Sequence, residues 1–213
     1  MPTTRLFLVR HGETIANREY RYIGSRDDQL SEHGQTQAIQ LAEALAALPI
    51  AAIYCSPLQR AYDTALSIAA RHTLEVQRVD ELRECNFGTW EGLNRAEVIA
   101  RSLEDARLLR EWERDTTLSP PEGESFQAMQ ERVCVVVERL AQVHPEQAIV
   151  LVSHVGPIKV LLSAALGAPL ASAFRIFLDP ATISVIDWRR DAPAIVRLVN
   201  SHAHLGWQQA RWM

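Results

Sequence analysis

Arg10 and His11 close a run of four apolar residues, 6–9, and lead straight into Gly12 and Glu13. The same change from apolar to polar recurs further on. Arg60 follows "IAAIYCS", Glu84 follows "EVQRVDELR", and His154 follows "AIVLVS". Two arginines and two histidines would place up to four cationic or donor groups around one point, and Glu84 adds a carboxyl. Arginine presents a planar fork of donors that matches phosphate oxygens. Gly12 lets backbone approach a ligand closely. In "SHVGPIKV", Val155 and Gly156 open a predicted helix with Pro157 close to its first helical position, which aims free backbone N–H groups at whatever His154 faces. The set reads as a pocket for a phosphate dianion.

An imidazole in such a pocket has two uses. It can be one more positive contact, or its neutral nitrogen can attack phosphorus and form a phosphohistidine. Neighbouring cations disfavour the charged form of His11 and so favour the nucleophile. His154 would then stabilise the transferring oxygens. Glu84 would protonate the leaving alkoxide and later deprotonate the water that releases phosphate, a contribution of roughly 10²- to 10⁴-fold. The arginines supply the positive charge, so this chemistry calls for no metal and no other cofactor.

These groups can cooperate only if the elements carry them to one edge. Residues 6–9 read as a short buried strand. "LSEHGQTQAIQLAEALAAL" reads as a helix with Ala38, Leu41, Ala42 and Leu45 on one face. "IAAIYCS" reads as a second strand, "PLQRAYDTALSIAARH" as a helix with Pro57 in its first turn, and "EVQRVDELRE" as a third short strand. Residues 92–116 are charged and helix-prone, "SPPEGES" marks a break, and a long amphipathic helix is expected over 125–143. "AIVLVS" reads as a buried strand, followed by the helix "PIKVLLSAALG" closed by Gly167. "SVIDW" and "AIVRLV", separated by "RRDAP", predict a closing hairpin. The alternation predicts an α/β fold, a three-layer α/β/α sandwich with a mainly parallel sheet. Ligands of such sheets bind beyond the carboxyl ends of the strands, where Arg10, His11, Arg60, Glu84 and His154 all fall. No repeat or linker interrupts the chain, so one domain over 1–213 is expected.

Of the 213 residues, 47% are apolar and 23% charged, with no apolar run long enough to span a bilayer. A formal charge of -4 argues against nucleic acid or a membrane surface as partner, so any bound anion must be held by a local site. Cys55, Cys85 and Cys134 are odd in number and lack metal-type spacing, and nothing at the N-terminus marks secretion; a reduced, cytoplasmic protein is expected. His33, His72 and His144 are expected to face solvent. His202 and His204, two apart, are too few for a metal site. Cys85 is expected as a packed small residue, "RSLEDARLLREWERD" as a solvated helix face, and Trp207 and Trp212 as residues that dock the tail or meet a partner.

"LVRHGET" with Asn17 downstream, "SPLQRAYDTA", "LRECNFGTWEG", "PEGES" and "VSHVGPIK", in this order, resemble the histidine phosphatase superfamily, also called the phosphoglycerate mutase-like family. The likeness runs from Arg5 to about Leu166. It implies His11 as nucleophile, Arg10, Arg60 and His154 as phosphate-binding residues, and Glu84 as proton donor. It further implies that Asn17 contacts the transferred phosphate, with Val155 beside it, and that Thr14 and Gly24 lie on a substrate-side loop. The implied sandwich has one antiparallel strand. The implied activity is that of a histidine acid phosphatase-type phosphomonoesterase acting on a small phosphorylated metabolite, with a homodimer left open.

Mutases of this family share the phosphohistidine, and the resemblance implies for them a longer insertion after the proton-donor motif. Here only about forty residues separate Glu84 from Glu124. "HVGPIK" also stands where the mutase branch has histidine followed by glycine, asparagine and serine. Both departures point to the phosphatase branch, similar to broad-specificity and cobalamin-pathway ribazole phosphatases. Phosphoglycerate mutase-type transfer and a non-catalytic phosphate-ligand binding protein are the alternatives. Residues 92–124 are expected to form a helical cap, with Leu108, Leu109 and Trp112 facing the non-phosphate part of a substrate or packing as ordinary core.

Overall fold

Alternation along the first strand explains the layering. Leu6 and Leu8 belong to one apolar core and Phe7 and Val9 to another, as the two-residue period of a strand requires. The computed structural model describes residues 2–206. Its strands are β1 (Thr3–Arg10), β2 (Ile50–Cys55), β3 (Val76–Arg78), β4 (Ala148–Ser153), β5 (Ile183–Arg189) and β6 (Ile195–Ser201). Its helices are α1 (Ile15–Arg18), α2 (Glu32–Leu45), α3 (Gln59–His72), α4 (Arg95–Arg101), α5 (Leu103–Trp112), α6 (Phe126–Val143) and α7 (Val155–Ala165).

The strands form one sheet in the order β3-β2-β4-β1-β5-β6. β3, β2, β4 and β1 pair in parallel, while β5 runs antiparallel to both β1 and β6. One antiparallel strand in a mainly parallel sheet is the expected arrangement. α6 and α7 cover the core that holds Leu6 and Leu8. α2 and α3 cover the other face, where Leu41, Leu45, Ala65 and Ile68 pack against Val9, Ile53 and Val150.

Several expectations need local correction. Pro57 lies before α3, which begins at Gln59 behind the N-cap residue Leu58. The third strand is only Val76–Arg78, and a 3₁₀ turn over Asp80–Leu82 then leads to Glu84. The charged stretch after Gly92 folds as two helices, because Ser102 in extended conformation ends α4 and caps α5 through its side chain. His144 is half-buried, not solvent-facing: its Nε2 is 2.8 Å from the Tyr54 hydroxyl and its Nδ1 is 2.7 Å from Gln147 Oε1. His202 lies 3.0 Å from Asp179, and His204 lies 2.8 Å from the Ala181 carbonyl. Among the described residues, no three His, Cys, Asp or Glu side chains gather as a metal site, and no helix is long and apolar enough to cross a membrane. Trp207 and Trp212 lie outside the described residues.

The loop after β1 is laced to α2. Ser31, the N-cap of α2, accepts the Gly34 N–H at 3.0 Å and donates its hydroxyl to Glu13 at 3.2 Å. Glu13 also takes Arg18 at 2.7 Å, and its N–H donates to Gln37 at 2.9 Å. The two backbones approach so closely that both facing residues are glycine. A Cβ on Gly34 would overlap the Glu13 carbonyl oxygen, and one on Gly12 would fall against the Gly34 carbonyl. In an ordinary helix Gly→Ala gains up to about 1 kcal/mol. Here Gly34→Ala should instead cost about 1–3 kcal/mol through overpacking against backbone. A lowered urea midpoint with an unchanged slope is the expected result; a midpoint at or above wild type would show that α2 does not pin this loop.

Candidate active site

β1 and β4 pair in parallel with Arg10 opposite Ser153, and the His11 N–H donates to the Ser153 carbonyl at 3.0 Å. The first residues beyond the two strands, His11 and His154, are therefore neighbours, with ring centroids 5.0 Å apart. β2 flanks β4 on its other side, which brings Ser56 Oγ to 2.8 Å from His154 Nε2.

His11 is 3% exposed. Its Nδ1 lies 2.7 Å from the Gly12 carbonyl, which can only accept, so Nδ1 carries the proton and Nε2 the lone pair. Arg60 donates Nε–H to that Nε2 at 3.3 Å, the long end of the hydrogen-bond range. The Arg60 guanidinium is fixed by three loop carbonyls, those of Arg26 at 2.7 Å, Gly24 at 3.1 Å and Ile23 at 3.4 Å. Arg10 donates to the Leu178 carbonyl at 2.5 Å. Burial first, then Arg60 and Arg10, holds the His11 pKa well below the usual imidazole value. Burial and the same arginines, with His11 itself, do the same to His154.

Glu84 is buried and accepts the N–H of Cys85 at 2.9 Å and that of Gly156 at 3.1 Å. The N-terminus of α7 thus serves the carboxyl, a correction to the expectation that its N–H groups stand free toward the ligand. Burial raises the Glu84 pKa, against the opposing pull of the two N–H groups, Arg60 and Arg10. A clamp holds its backbone. Arg132 of α6 donates to the carbonyls of Glu81 at 2.6 Å, Arg83 at 2.9 Å and Glu84 at 3.1 Å, and forks the Glu124 carboxylate at 2.7 and 2.8 Å.

A cavity of about 500 Å³ opens at this sheet edge, lined by Arg10, His11, Asn17, Glu84, Val155 and Gly156 among others. Arg60 and His154 are not in its lining and contact His11 from within the protein. Thr14 and Gly24 do not line it either. Thr14 is the buried N-cap of α1, in a capping box with Asn17, whose Oδ1 accepts the Thr14 N–H at 3.1 Å. Gly24 shapes the loop that grips Arg60, and its N–H donates to Glu91 at 3.0 Å. Trp112 lines the outer cavity in edge contact with Tyr22, Phe126 and Phe174. Leu108 and Leu109 pack into the core. Cys85 is fully buried, as expected of a packed small residue, and also borders the cavity. The Arg132 clamp and the cavity lysine Lys159 carry no signal at strand-end positions. Lys159 stands in the quoted "VSHVGPIK" stretch, but only the packing of α7 turns it to the cavity.

Residues 6–201 match the family model described as histidine phosphatase superfamily (branch 1). A bifunctional protein of Mycobacterium tuberculosis is 42% identical over 203 residues, 95% of this chain and 55% of the relative, so this chain spans about half of that protein's length. Phosphoserine phosphatase 1 of Hydrogenobacter thermophilus is 37% identical over 203 residues, 95% of this chain and 94% of its own. The crystal structure of the alpha-ribazole phosphatase from Shigella flexneri aligns with a TM-score of 0.82 at 34% identity, covering 93% of this chain and 97% of that one.

The lowered pKa values have a direct spectroscopic consequence. Imidazole nitrogen shifts should report His11 as neutral with its proton on Nδ1, and His11 and His154 should both stay neutral as pH falls from 7 through the ordinary imidazole value near 6.5. Protonation of His11 at or above that value would contradict the electrostatic description of the site.

Proposed function

This chain belongs to the histidine phosphatase superfamily, and on that premise we propose that it is a phosphomonoester hydrolase, independent of metal, that acts through a phosphohistidine on a small phosphorylated metabolite. The observation that carries this reading is His11: buried, proton on Nδ1, and lone pair on the Nε2 that Arg60 approaches. In the proposed first step, Nε2 attacks phosphorus and a P–N bond forms as the bond to the alcohol oxygen breaks. The carboxyl of Glu84, whose pKa burial raises, gives its proton to the departing alkoxide. In the second step the Glu84 carboxylate takes a proton from water, the water oxygen attacks phosphorus, the P–N bond breaks and phosphate leaves.

Arg10 and Arg60 supply the fixed positive charge that the transferring oxygens need, the work a metal ion does elsewhere. His154 contributes a neutral donor. In this mechanism the Ser56 hydroxyl, 2.8 Å from His154 Nε2, would donate to it. The His154 proton would then sit on Nδ1, a buried atom with no protein partner that a phosphate oxygen would satisfy. Asn17 has its Oδ1 committed to the Thr14 N–H, so it would meet phosphate through its Nδ2 end. α4 and α5 act as the cap. Trp112 extends from α5 into the cavity, where it and its ring neighbours would hold the apolar body of the leaving alcohol.

Phosphate release from a panel of phosphomonoesters, with 3-phosphoglycerate isomerisation followed in parallel, tests this reading. Release by wild type that is unaffected by a chelator and vanishes in His11→Ala is expected. Isomerisation with little release would establish a mutase instead, and neither activity would leave a phosphate-ligand binding protein. Glu84→Gln should slow alkyl phosphates by roughly 10²-fold or more and aryl phosphates much less, because only the poor leaving group needs the proton. Equal losses on both would remove Glu84 from the proton-donor role.

A further inference from the structure

One loop, ahead of β5, grips both Arg10 and His11. The Leu178 carbonyl, at the cavity wall, accepts the Arg10 guanidinium at 2.5 Å. The Thr182 carbonyl accepts the Arg10 N–H at 3.2 Å, and the Ala181 N–H donates to the His11 carbonyl at 3.0 Å. The loop is strained. Ala181 has a φ of 56°, in the left-handed region that a residue with a Cβ seldom adopts, and such a conformation persists where its surroundings hold it. The end of β6 does the holding. Asn200, itself left-handed with a φ of 51°, closes on Asp179 from two directions: its Oδ1 accepts the Asp179 N–H at 2.8 Å, and its Nδ2 donates to Asp179 Oδ2 at 3.1 Å. His202 Nε2 lies 3.0 Å from the same carboxyl oxygen. His204 Nε2 lies 2.8 Å from the Ala181 carbonyl, which can only accept, so that nitrogen carries the proton. Within the loop the Thr182 hydroxyl donates to the Asp179 carbonyl at 2.7 Å. Asp179, Thr182 and His202 are all buried.

We propose that Asp179, Asn200, His202 and His204 are positioning residues for Arg10, which aim its guanidinium at the phosphoryl group by fixing the Leu178 carbonyl. The inference rests on reading the cavity as a phosphoryl site, and it gives the histidine pair of "SHAHLGW" a part in the reaction. A guanidinium meets phosphate oxygens as a planar fork, so its direction decides whether one hydrogen bond forms or two. Apolar packing of the same volume would hold a loop as firmly as a buried polar cluster does. Directional hydrogen bonds to the backbone and the side chain of Asp179 do something more: they fix where the neighbouring carbonyl points. None of the four residues lines the cavity, whereas Leu178 does. Their influence on a ligand therefore passes through the loop and the arginine it holds.

Equilibrium binding of inorganic phosphate, followed by phosphorus NMR, tests this without turnover. In His202→Ala the affinity should fall about tenfold, the scale of one hydrogen bond to a charged group. In an Arg10→Ala background the same substitution should change it by less than about twofold, because a residue that acts through Arg10 then has nothing left to aim. His202→Gln, which keeps an N–H within reach of Asp179, should recover most of the wild-type affinity. His204→Ala, which withdraws the contact to the Ala181 carbonyl, should show the same dependence on Arg10 and decides the matter if His202→Ala does not fold. Unchanged affinity in these variants, or equal weakening with and without Arg10, would overturn the proposal and leave the cluster a stabiliser of the fold, with the phosphoryl site intact. A wild type that binds no phosphate would overturn both the proposal and the reading of the cavity on which it rests.

Discussion

The parallel register between β1 and β4 is the constraint on which the rest of the site depends. With Arg10 opposite Ser153, both strands end at the same level, and the next residue of each is a histidine. A slip of one residue would turn every side chain of β1 to the other face of the sheet. It would drive Leu6 and Leu8 into the core shaped for Phe7 and Val9, and those two into the other, at a cost of roughly 1–3 kcal/mol for each misfitted side chain. The burial that holds the sheet in register thus also holds His11 beside His154. The flanking strands extend the same edge, with Ser56 beyond β2 and Ala181, whose N–H donates to the His11 carbonyl at 3.0 Å, ahead of β5.

Burial then sets the protonation states. It acts in opposite directions on the two central groups, lowering the pKa of His11 and raising that of Glu84, and so favours the neutral form of each. The arginines reinforce burial at His11 and oppose it at Glu84, where burial prevails. A neutral base and a neutral acid are what a nucleophile and a proton donor require. The N–H groups of Cys85 and Gly156 would stabilise the carboxylate that remains once a proton has been given, so the same carboxyl suits both proposed steps. Arg132 and Glu124 keep that carboxyl in place through its backbone, one contact removed from the chemistry.

What could be read from the amino-acid order follows from where each residue sits. Strand ends are abrupt changes from apolar to polar, so Arg10, His11 and His154 stood out, and the parallel alternation that brings them to one edge was visible too. Glu84 was recognisable although five residues, three of them in a 3₁₀ turn, separate it from β3. Contacts that depend on how helices roll against the sheet left no such mark. Nothing in the spacing of Arg132 says that it reaches the carbonyls around Glu84, nor that Lys159 turns into the cavity. The amide groups at the start of α7 were expected to face the ligand, but the N–H of Gly156 meets the Glu84 carboxyl instead. Glu13, in the polar run after β1, is a brace, taken up by Arg18, Ser31 and Gln37 around the loop that carries His11.

The central claim is that phosphorus is attacked twice, first by His11 and then by an acceptor. Transfer of an isotopically chiral phosphoryl group from a phosphomonoester to an added acceptor alcohol measures this directly. Each in-line displacement inverts the configuration at phosphorus, so two successive displacements through a phosphohistidine predict net retention. Net inversion would mean a single direct displacement, with His11 a positive or polar contact and no covalent intermediate.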